Sequence, residues 1–514
     1  MALFDQLVDR VSAALWNLHP SAAVRLGKHE YDGQVPDLSA EALAAGYDRL
    51  GRLRGQVTAL TGLAPDQELD RAVLLAALDA ELLAGQVAEC WRWDPGCYLK
   101  VLVVDAYLGR DYAPAGLRLE KAAMVLQSAP EVLAAARANL RLVIPRPAAE
   151  RGAEQARVMA ARLAGGPTPA GETADQAEKQ WLVAAAGEAA AALQAFAGWL
   201  EVERLPAAGE DFALGEEVVE QMLRAGEMVE RSLDEAAGLG RAALAADRAA
   251  LAEEEEEEEA EEGEAAVSPP GGWAGAVAAA VEEAGRFVAG AGLATLPDPP
   301  PLVVAECPGP SPEEAWLVPP GPYDDPASGA VLWAWGLENG WGPGAPDELA
   351  VAAAYPGRLL QALRAAGAPT EAARRFAFRS FAEGWALYAG EAMWEAGHRG
   401  AGPAWRRVWL RRALRADCHL VCVPALHRGQ MSVEQAEVLF MEQGKCERAA
   451  ARREADRAAV DPGCLSAALG RLEILELRRR WRERHPGAPL GAFHDAVLSR
   501  GAPPLGLLER VMLP

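Results

Sequence analysis

The chain has 514 residues, of which 51% are apolar and 24% charged, a composition typical of a globular protein with a large core. Asp and Glu outnumber Lys and Arg by 74 to 50, so the formal net charge is −24, which disfavours nucleic-acid binding because phosphate backbones repel an acidic surface. No apolar run approaches the ~20 residues of a membrane helix, and the acidic start of the chain is unlike a signal peptide. We therefore expect no membrane partner and a cytoplasmic location.

The first 250 residues are predicted to be helical. Residues 70–83, for example, place apolar side chains at intervals of three and four, which is the period of one helix face. An unbroken run of seven glutamates follows at Glu253–Glu259. The run could be an acidic interaction segment, but its internal position favours a solvated helix end or loop. We predict a Glu-rich, then Pro/Gly-rich linker at residues 253–272, between sub-lobes at about 1–250 and 297–514 of one domain spanning 1–514.

Residues 297–345 form a second irregular region that is rich in proline and glycine. Within it, residues 303–307 and 331–335 combine β-branched and aromatic side chains, and they predict a small sheet. Helical patterns resume at Asp347 and continue to the C-terminus. The chain is thus expected to be mainly α with a small β element.

The cysteines and a basic segment each allow two interpretations. The chain has seven cysteines, an odd number that cannot all form disulfide pairs, and this indicates reduced thiols. Cys418 and Cys422, with His419 between them, could hold a metal on one helix face, but buried cysteines acting as small apolar groups are favoured. Residues 405–415 alternate Trp and paired Arg, which could follow a nucleic acid, but the acidic charge of the chain favours a solvated helix face.

One helical segment, residues 375–391, is apolar on both sides and therefore predicted to be buried. Glu383 lies among these apolar residues, and a buried carboxylate is costly unless a cation, a metal or a donor meets it. Glu383 is consequently either a metal ligand or catalytic acid, or the partner of a core arginine. The pattern alone does not favour one over the other.

At this segment the sequence resembles a known family. Residues 381–389, Phe-Ala-Glu-Gly-Trp-Ala-Leu-Tyr-Ala, resemble a signature of the bacterial family called domain of unknown function 885. Further segments match the family in order: 27–33, 94–98, 110–114, 320–324, 426–436, 461–463, 469–475 and 493–504. The resemblance implies a two-lobed, all-helical body around a deep cleft, similar to gluzincin-type zinc metallopeptidases.

The sequence departs from the family where zinc would bind. Family members carry His-Glu-x-x-Pro-Gly-His, whereas this chain has Ala352 and Ala353 at the first two positions and Arg358 at the last, with Tyr355-Pro-Gly fixing the register. Of the implied ligands only Glu383 remains. Zinc hydrolysis needs about three protein ligands and a general base. We therefore expect the ancestral zinc to be lost, no other cofactor, and an ion pair between Arg358 and Glu383.

The departure suggests a catalytically degenerate pseudo-peptidase that keeps a peptide-sized cleft and binds a peptide or a protein partner. The alternative is a hydrolase with a rebuilt, metal-free acid–base site, in which Glu383, Glu391, Asp417 or His427 acts. A third hypothesis places a metal at Cys418, His419 and Cys422. The remnant cleft residues are predicted to be Glu383, His427, Tyr355 and Arg358, and His427 matches a family histidine. Whether the chain is an enzyme stays open, with the lost ligands arguing against it.

Overall fold

A computed structural model describes most of the chain. The described residues are 3–166, 175–260, 272–306, 315–325, 328–334, 344–400, 402 and 404–513. Cys307, Trp335 and the Pro/Gly part of the predicted linker lie outside them. Helices account for 73% of the structure and strands for 4%, which confirms the mainly helical class with a small β element.

The chain divides into two compact units. Unit one comprises Met1–Phe212 and Pro300–Trp335, and unit two comprises Ala213–Pro299 and Gly336–Pro514. Residues 213–250 belong to unit two because the long helix that they enter packs along a helix near the C-terminus.

Among the described residues, unit one contains the ten α-helices that come first in the chain. They are α1 (Leu3–Leu18), α2 (Pro20–Arg25), α3 (Ala40–Thr58), α4 (Pro65–Leu82), α5 (Gly96–Leu99), α6 (Asp105–Gly109), α7 (Ala115–Gln127), α8 (Ala129–Asn139), α9 (Arg146–Ala164) and α10 (Gln176–Trp199). Helix α10 packs against α7 and α9 at the centre of this unit. Fully buried alanines on both α9 and α10, such as Ala153 and Ala189, allow the two helices to approach closely.

By length and composition alone, the segment Lys179–Ala207 could cross a membrane, contrary to the expectation that no such segment exists. It consists of α10 and the turns that follow it. In its most apolar window 44% is already buried inside the protein, and it packs against α7 and α9. A core helix has the same composition, so the segment is weak evidence for membrane insertion.

The small sheet also lies in unit one, close to the predicted positions. Strands β1 (Leu302–Glu306) and β3 (Ala330–Ala334) correspond to the predicted strands, whereas β2 (Ala315–Val318) is an additional one. The order is β1-β3-β2, with β1 parallel to β3 (Leu302 opposite Ala330) and β2 antiparallel to it (Ala315 opposite Ala334). All of β3 is buried, which explains why its sequence is continuously apolar.

Three of the segments that match the family meet at Asp324 in unit one. The buried Asp324 carboxylate accepts hydrogen bonds from Arg110 Nη1 (2.5 Å) and His29 Nε2 (2.8 Å). Arg110 is itself fully buried and donates to the backbone carbonyl of Val24 at 2.6 Å. These segments therefore hold a buried ion pair in which hydrogen bonds engage both Nη atoms of Arg110, while its buried Nε has no hydrogen-bond partner in the described structure.

Unit two contains the remaining helices. They are α11 (Glu216–Glu227), α12 (Leu233–Ala260), α13 (Gly272–Gly290), α14 (Ala345–Leu349), α15 (Arg358–Ala366), α16 (Glu371–Arg375), α17 (Arg379–Glu395), α18 (Ala404–His427), α19 (Val433–Glu442), α20 (Arg448–Val460), α21 (Ser466–Arg484), α22 (Leu490–Leu498) and α23 (Leu505–Met512). The core is built on two long pairs, α12 along α18 and α17 along α21. Shorter 3₁₀ and π turns cover His29–Tyr31, Leu83–Val87, Cys90–Arg92, Lys100–Leu102, Leu200–Arg204, Leu205–Ala207, Ala350–Ala354 and Pro462–Leu465.

The glutamate run continues helix α12 as far as Ala260. Its first members bind α18, since Glu254 is buried and pairs with Arg406, while the more exposed Glu255 pairs with Arg411, both at 3.0 Å. The arginines of the basic, Trp-containing segment are therefore partly engaged by the glutamates instead of being only a solvated face.

Candidate functional site

The positions at which the family resemblance predicted a degenerate zinc motif, Ala352, Ala353 and Arg358, lie on one short segment of unit two. Helix α14 continues as the π turn Ala350–Ala354, and after the cis Tyr355–Pro356 peptide the chain enters α15 at Arg358. Ala352 and Ala353 are buried, with 2% and 6% of their surface exposed. A methyl group offers no lone pair to a metal, so this segment contributes packing at the first two motif positions.

Helix α17 carries the Glu-Gly-Trp signature and packs against this segment, as the family resemblance implies. The indole Nε1 of Trp385 donates to the carbonyl of Pro356 at 2.8 Å, which ties α17 to the start of α15. On its other side, Gly384 lies against Gly470 of α21, where a Cβ atom would come within 2.5 Å of backbone carbon atoms. The glycine is thus required by a close helix–helix contact, and the tryptophan by a buried hydrogen bond.

Glu383 is half-buried, with 26% of its side chain exposed, so it is less enclosed than the predicted buried carboxylate. It accepts a hydrogen bond at 2.9 Å from Nε of Arg379, which lies one helical turn earlier on α17. It forms no ion pair with Arg358, so that prediction is wrong. Arg358 lies half-buried at the start of α15.

Arg379 is shared between two carboxylates. Its Nη1 donates to both oxygens of Asp461, at 3.0 and 2.8 Å, while its Nε binds Glu383. Burial lowers the pKa of the Arg379 guanidinium, but the charges of Asp461 and Glu383 outweigh this effect and raise the pKa above its ordinary value. Glu383 consequently has a permanent cationic partner, which would compete with any metal for its carboxylate.

Glu227, at the end of α11, lies beside this cluster and was not singled out in the sequence. Its carboxylate accepts hydrogen bonds from the backbone N–H (3.2 Å) and the hydroxyl group of Ser380 on α17. Burial raises its pKa to about 7; the hydrogen bonds from Ser380 and the charge of Arg379 lower it, and Glu383 raises it. A carboxyl group with this pKa changes its protonation near neutral pH.

The remaining predicted residues lie apart from Glu383 in the hydrogen-bond network. His427 is buried, with Nδ1 accepting from the backbone N–H of Leu214 (3.3 Å) and Nε2 bound to the carbonyl of Ala458 (3.1 Å). Both ring nitrogens are thus engaged by backbone groups. Tyr355 is buried, and burial raises the pKa of its hydroxyl group.

Glu391 and Asp417 come together around Arg471, a buried side chain of α21. Arg471 pairs with Asp247 at 2.7 Å and lies 3.7 Å from Glu391. Within the described structure, neither carboxyl oxygen of Asp417 has a hydrogen-bond partner. Burial raises the pKa of Asp417 well above its ordinary value, and Asp247 adds to this effect although Arg471 opposes it. The environment of Asp417 therefore favours its neutral form more than that of an exposed carboxyl group.

The cysteines of α18 bond to backbone atoms. Cys418 Sγ lies 3.9 Å from the carbonyl of Leu439, and Cys422 Sγ lies 3.9 Å from the carbonyl of His419. Among the residues that the structure describes, no three His, Cys, Asp or Glu side chains are arranged to hold a metal ion.

His419 instead lies between the side chains of Cys464 and Glu454. These three residues, here called the Cys464 relay, were not predicted from the sequence. Nδ1 of His419 lies 3.2 Å from Sγ of Cys464, and its Nε2 lies 2.9 Å from Oε2 of Glu454. The three residues are separated by 35 and 10 positions in the sequence and lie on α18, α20 and the turn Pro462–Leu465. Such spacing matches no local motif, so only the fold could bring them together.

The comparisons with known proteins agree with this fold. The family model described as "Bacterial protein of unknown function (DUF885)" matches residues 20–512. A protein from Shewanella oneidensis, named a "putative lipoprotein of unknown function", is 21% identical, with a TM-score of 0.73 and complete coverage of both chains. A "putative lipoprotein" from Colwellia psychrerythraea is 16% identical, with a TM-score of 0.77, covering 99% of this chain and 98% of that one. No curated protein matches the chain.

Proposed function

We propose, from the premise that this chain belongs to the DUF885 family, that it is a degenerate metallopeptidase-like protein that binds peptides, or a peptide segment of a protein partner, without zinc-dependent cleavage. The metallopeptidase-like, two-lobed arrangement around a deep cleft is part of this proposal. The peptide binding and the cleft are both inferred from the family resemblance, which rests on the Glu-Gly-Trp signature and on the altered Ala352–Arg358 segment.

One observation carries the proposal: Glu383, the remaining ligand-like residue, is held by Arg379, which also binds Asp461. Ala352 and Ala353 place methyl groups at the other motif positions, and Arg358 is a cation that cannot ligate a metal. The side chains present therefore do not fit a zinc ion, which needs about three neutral or anionic ligands. We derive no catalytic step through zinc.

The proposal is tested with a tryptic digest of casein as the peptide source. The digest is incubated with the protein, with and without added zinc, and peptide masses are followed over time against a heat-denatured control. We expect no new masses, and we expect immobilised native protein to retain a subset of the peptides that the denatured control does not retain. Cleavage that a chelator abolishes, or the absence of any selective retention, would overturn the proposal.

A rebuilt, metal-free hydrolase is the second candidate function, and Glu227 favours it. A carboxyl group with a pKa of about 7 is suited to act as a general base at neutral pH, and Glu227 lies beside Arg379 and Glu383. In the same assay, this candidate predicts cleavage that a chelator does not affect and that Glu227→Gln abolishes.

A cytoplasmic location also belongs to the proposal. The six described cysteines are thiols rather than disulfides, which supports a reducing compartment. The lipoprotein names of the two similar structures apply to those proteins. Cell fractionation followed by detection of the native chain tests the location, and recovery with the membrane fraction would contradict it.

A further inference from the structure

Cys464, His419 and Glu454 are arranged as a nucleophile, a base and a group that orients the base. The thiol lies 3.2 Å from Nδ1 of His419, and the opposite nitrogen, Nε2, lies 2.9 Å from the Glu454 carboxylate. With the ring proton on Nε2, the imidazole donates to Glu454 and Nδ1 accepts the thiol proton. Unrelated acyl-transfer enzymes use this sequence of contacts to activate serine or cysteine.

The geometry points to an acyl-transfer site: we propose that Cys464 accepts an acyl group from an activated ester that carries a carboxylate, with His419 as the base, Glu454 as its positioning residue and Arg457 as the anion-binding residue. The proposal goes beyond the proposed peptide binding and requires no metal.

Burial and neighbouring charges determine the protonation states of Glu454, His419 and Cys464 before the reaction. Burial opposes ionisation of Glu454, but the hydrogen bond with His419, any positive charge on that ring, and the nearby arginines lower the pKa of Glu454, so it is an anion at neutral pH. Burial lowers the pKa of His419 and raises that of the Cys464 thiol, which makes both groups neutral. Proton transfer between them therefore accompanies attack instead of preceding it.

Arg457 supplies the positive charge beside this thiol. Its side chain is 36% exposed, and its ion pair with Glu454 is 3.9 Å long, which is beyond hydrogen-bond reach. Across the described residues no closer ion pair or side-chain hydrogen bond engages this guanidinium. Arg379 differs, because Asp461 and Glu383 already occupy it. Arg457 is thus the cation that can bind a substrate carboxylate bidentately.

The charged groups around Cys464 are partly exposed, although the thiol itself is not. The side chains of Arg379, Arg457 and Glu454 are 31%, 36% and 25% exposed, whereas Cys464 is only 2% exposed. The charges of all three groups act on the pKa of the thiol, so the three groups lie close to it. A substrate carboxylate would therefore bind at the partly exposed guanidinium of Arg457, beside the thiol.

The reaction balances without an oxidant or a further reactant. The Cys464 thiol transfers its proton to Nδ1 of His419 as sulfur bonds to the carbonyl carbon. The tetrahedral intermediate then breaks its carbon–oxygen bond, and the leaving alcohol takes the proton from the imidazolium, which leaves a thioester. Water attacks the thioester with His419 as base, which releases the carboxylic acid and regenerates the thiol.

The test uses the full-length protein with two probes, 4-nitrophenyl acetate and the 4-nitrophenyl monoester of adipic acid. We expect release of nitrophenolate and, after acid quenching and digestion, an acyl group on Cys464 by mass spectrometry. Cys464→Ala should lower the release rate about 100-fold, the scale of a lost nucleophile–base pair. Cys418→Ala is the matched control, because that thiol is also buried in unit two but bonds only to a backbone carbonyl. It should retain the rate.

Arg457 and Glu454 are tested by their selectivity and their pH profile. Arg457→Gln should slow the adipate ester about tenfold, the value of one charged hydrogen bond, and leave the acetate ester unchanged. Glu454→Gln should shift the pH dependence of the rate, whereas a merely structural role would not. An acyl group found on other residues of the wild-type protein, or an unchanged rate in Cys464→Ala, would overturn the proposal. The wild-type mass spectrum decides the matter even if a variant fails to fold.

Discussion

At the scale of single residues, Arg379 determines the character of the candidate site. It binds Glu383 through Nε and Asp461 through Nη1, so its removal would take a hydrogen-bonded cation from both carboxylates. Arg379→Gln should lower the free energy of unfolding by about 2 kcal/mol, the usual value of hydrogen bonds to charged groups.

The matched control for this prediction is Arg479→Gln. Arg479 also binds a carboxylate, that of Glu476, but on the exposed surface of α21. Its replacement should leave the free energy of unfolding unchanged, since exposed ion pairs contribute little. Chemical denaturation of both variants measures the difference. Equal losses of unfolding free energy would show that Arg379 contributes no more to stability than an exposed arginine.

Glu227 makes stability depend on pH with a defined sign. Its pKa is about 7 in the folded protein against an ordinary value of 4.5, so the folded state binds more protons than the unfolded state between these values. Its contribution to stability is therefore present below about pH 4.5 and is lost as the pH rises to about 7. The loss should approach roughly 2–3 kcal/mol.

Glu227→Gln should remove this part of the pH dependence because glutamine does not titrate. Denaturation of both proteins at pH 5 and pH 8 isolates the effect, since every other titrating group is common to the two. The variant should gain stability relative to the wild type at pH 8. A constant difference across this range would show that Glu227 has an ordinary pKa.

The pairing of individual side chains was only partly predictable from the sequence. Glu383 was recognisable because an acid in a helix that is apolar on both sides needs a partner. Which arginine is that partner depends on side-chain geometry, which the sequence does not show. Arg379, not Arg358, binds Glu383, because Arg379 lies one turn earlier on the same helix. The Cys464 relay depends on three distant chain segments, so no periodicity could indicate it.

At the scale of elements, the packing of α17 against α21 depends on Gly384. A Cβ atom there would lie 2.5 Å from backbone carbons of Gly470, and backbone cannot move aside as a flexible side chain can. Gly384→Ala should therefore destabilise the protein by about 2–3 kcal/mol. Gly238→Ala, in α12 with no atom near its Cβ position, should instead stabilise by about 0.5–1 kcal/mol.

Thermal unfolding of the two variants measures both effects, and a neutral Gly384→Ala would show that the helices can separate without cost. The signature glycine would then need an explanation other than helix packing.

The glutamate run makes a second prediction at this scale, because adjacent glutamates differ in their burial. Glu254 is buried and binds Arg406, whereas Glu255 and its partner Arg411 are about half exposed. Glu254→Ala should cost about 2 kcal/mol of unfolding free energy. Glu255→Ala should cost less than about 1 kcal/mol. Equal losses in denaturant titrations would indicate that the run contributes only helix propensity and charge.

Element-level predictions were accurate where periodicity was strong. The helical class and the strand positions followed from apolar spacing and from β-branched residues, as α4, β1 and β3 illustrate. Strand β2 was missed because its four residues, Ala315–Val318, are too few to establish an alternation. The glutamate run was predicted as a helix end or a loop, and it is the end of α12. Its ion pairs with α18 could not be predicted, because they depend on the packing of two distant segments.

At the level of the whole molecule, the chain has the fold of its family, and the loss of a zinc site at Ala352, Ala353 and Arg358 is part of the proposed function. The match over residues 20–512 shows the family, and two solved structures show the same fold at low identity. Family membership was visible in the sequence because its segments recur in order, such as those that meet at Asp324.

The number of zinc ions bound per chain tests whether this chain has lost a zinc site. The wild-type protein and the triple variant Ala352→His, Ala353→Glu, Arg358→His are dialysed against zinc, then against zinc-free buffer, and analysed for bound metal. We expect far less than one zinc per wild-type chain and a clear gain in the triple variant, which restores the ligand types that zinc requires. One zinc per wild-type chain that disappears in Glu383→Gln would contradict the loss of the site.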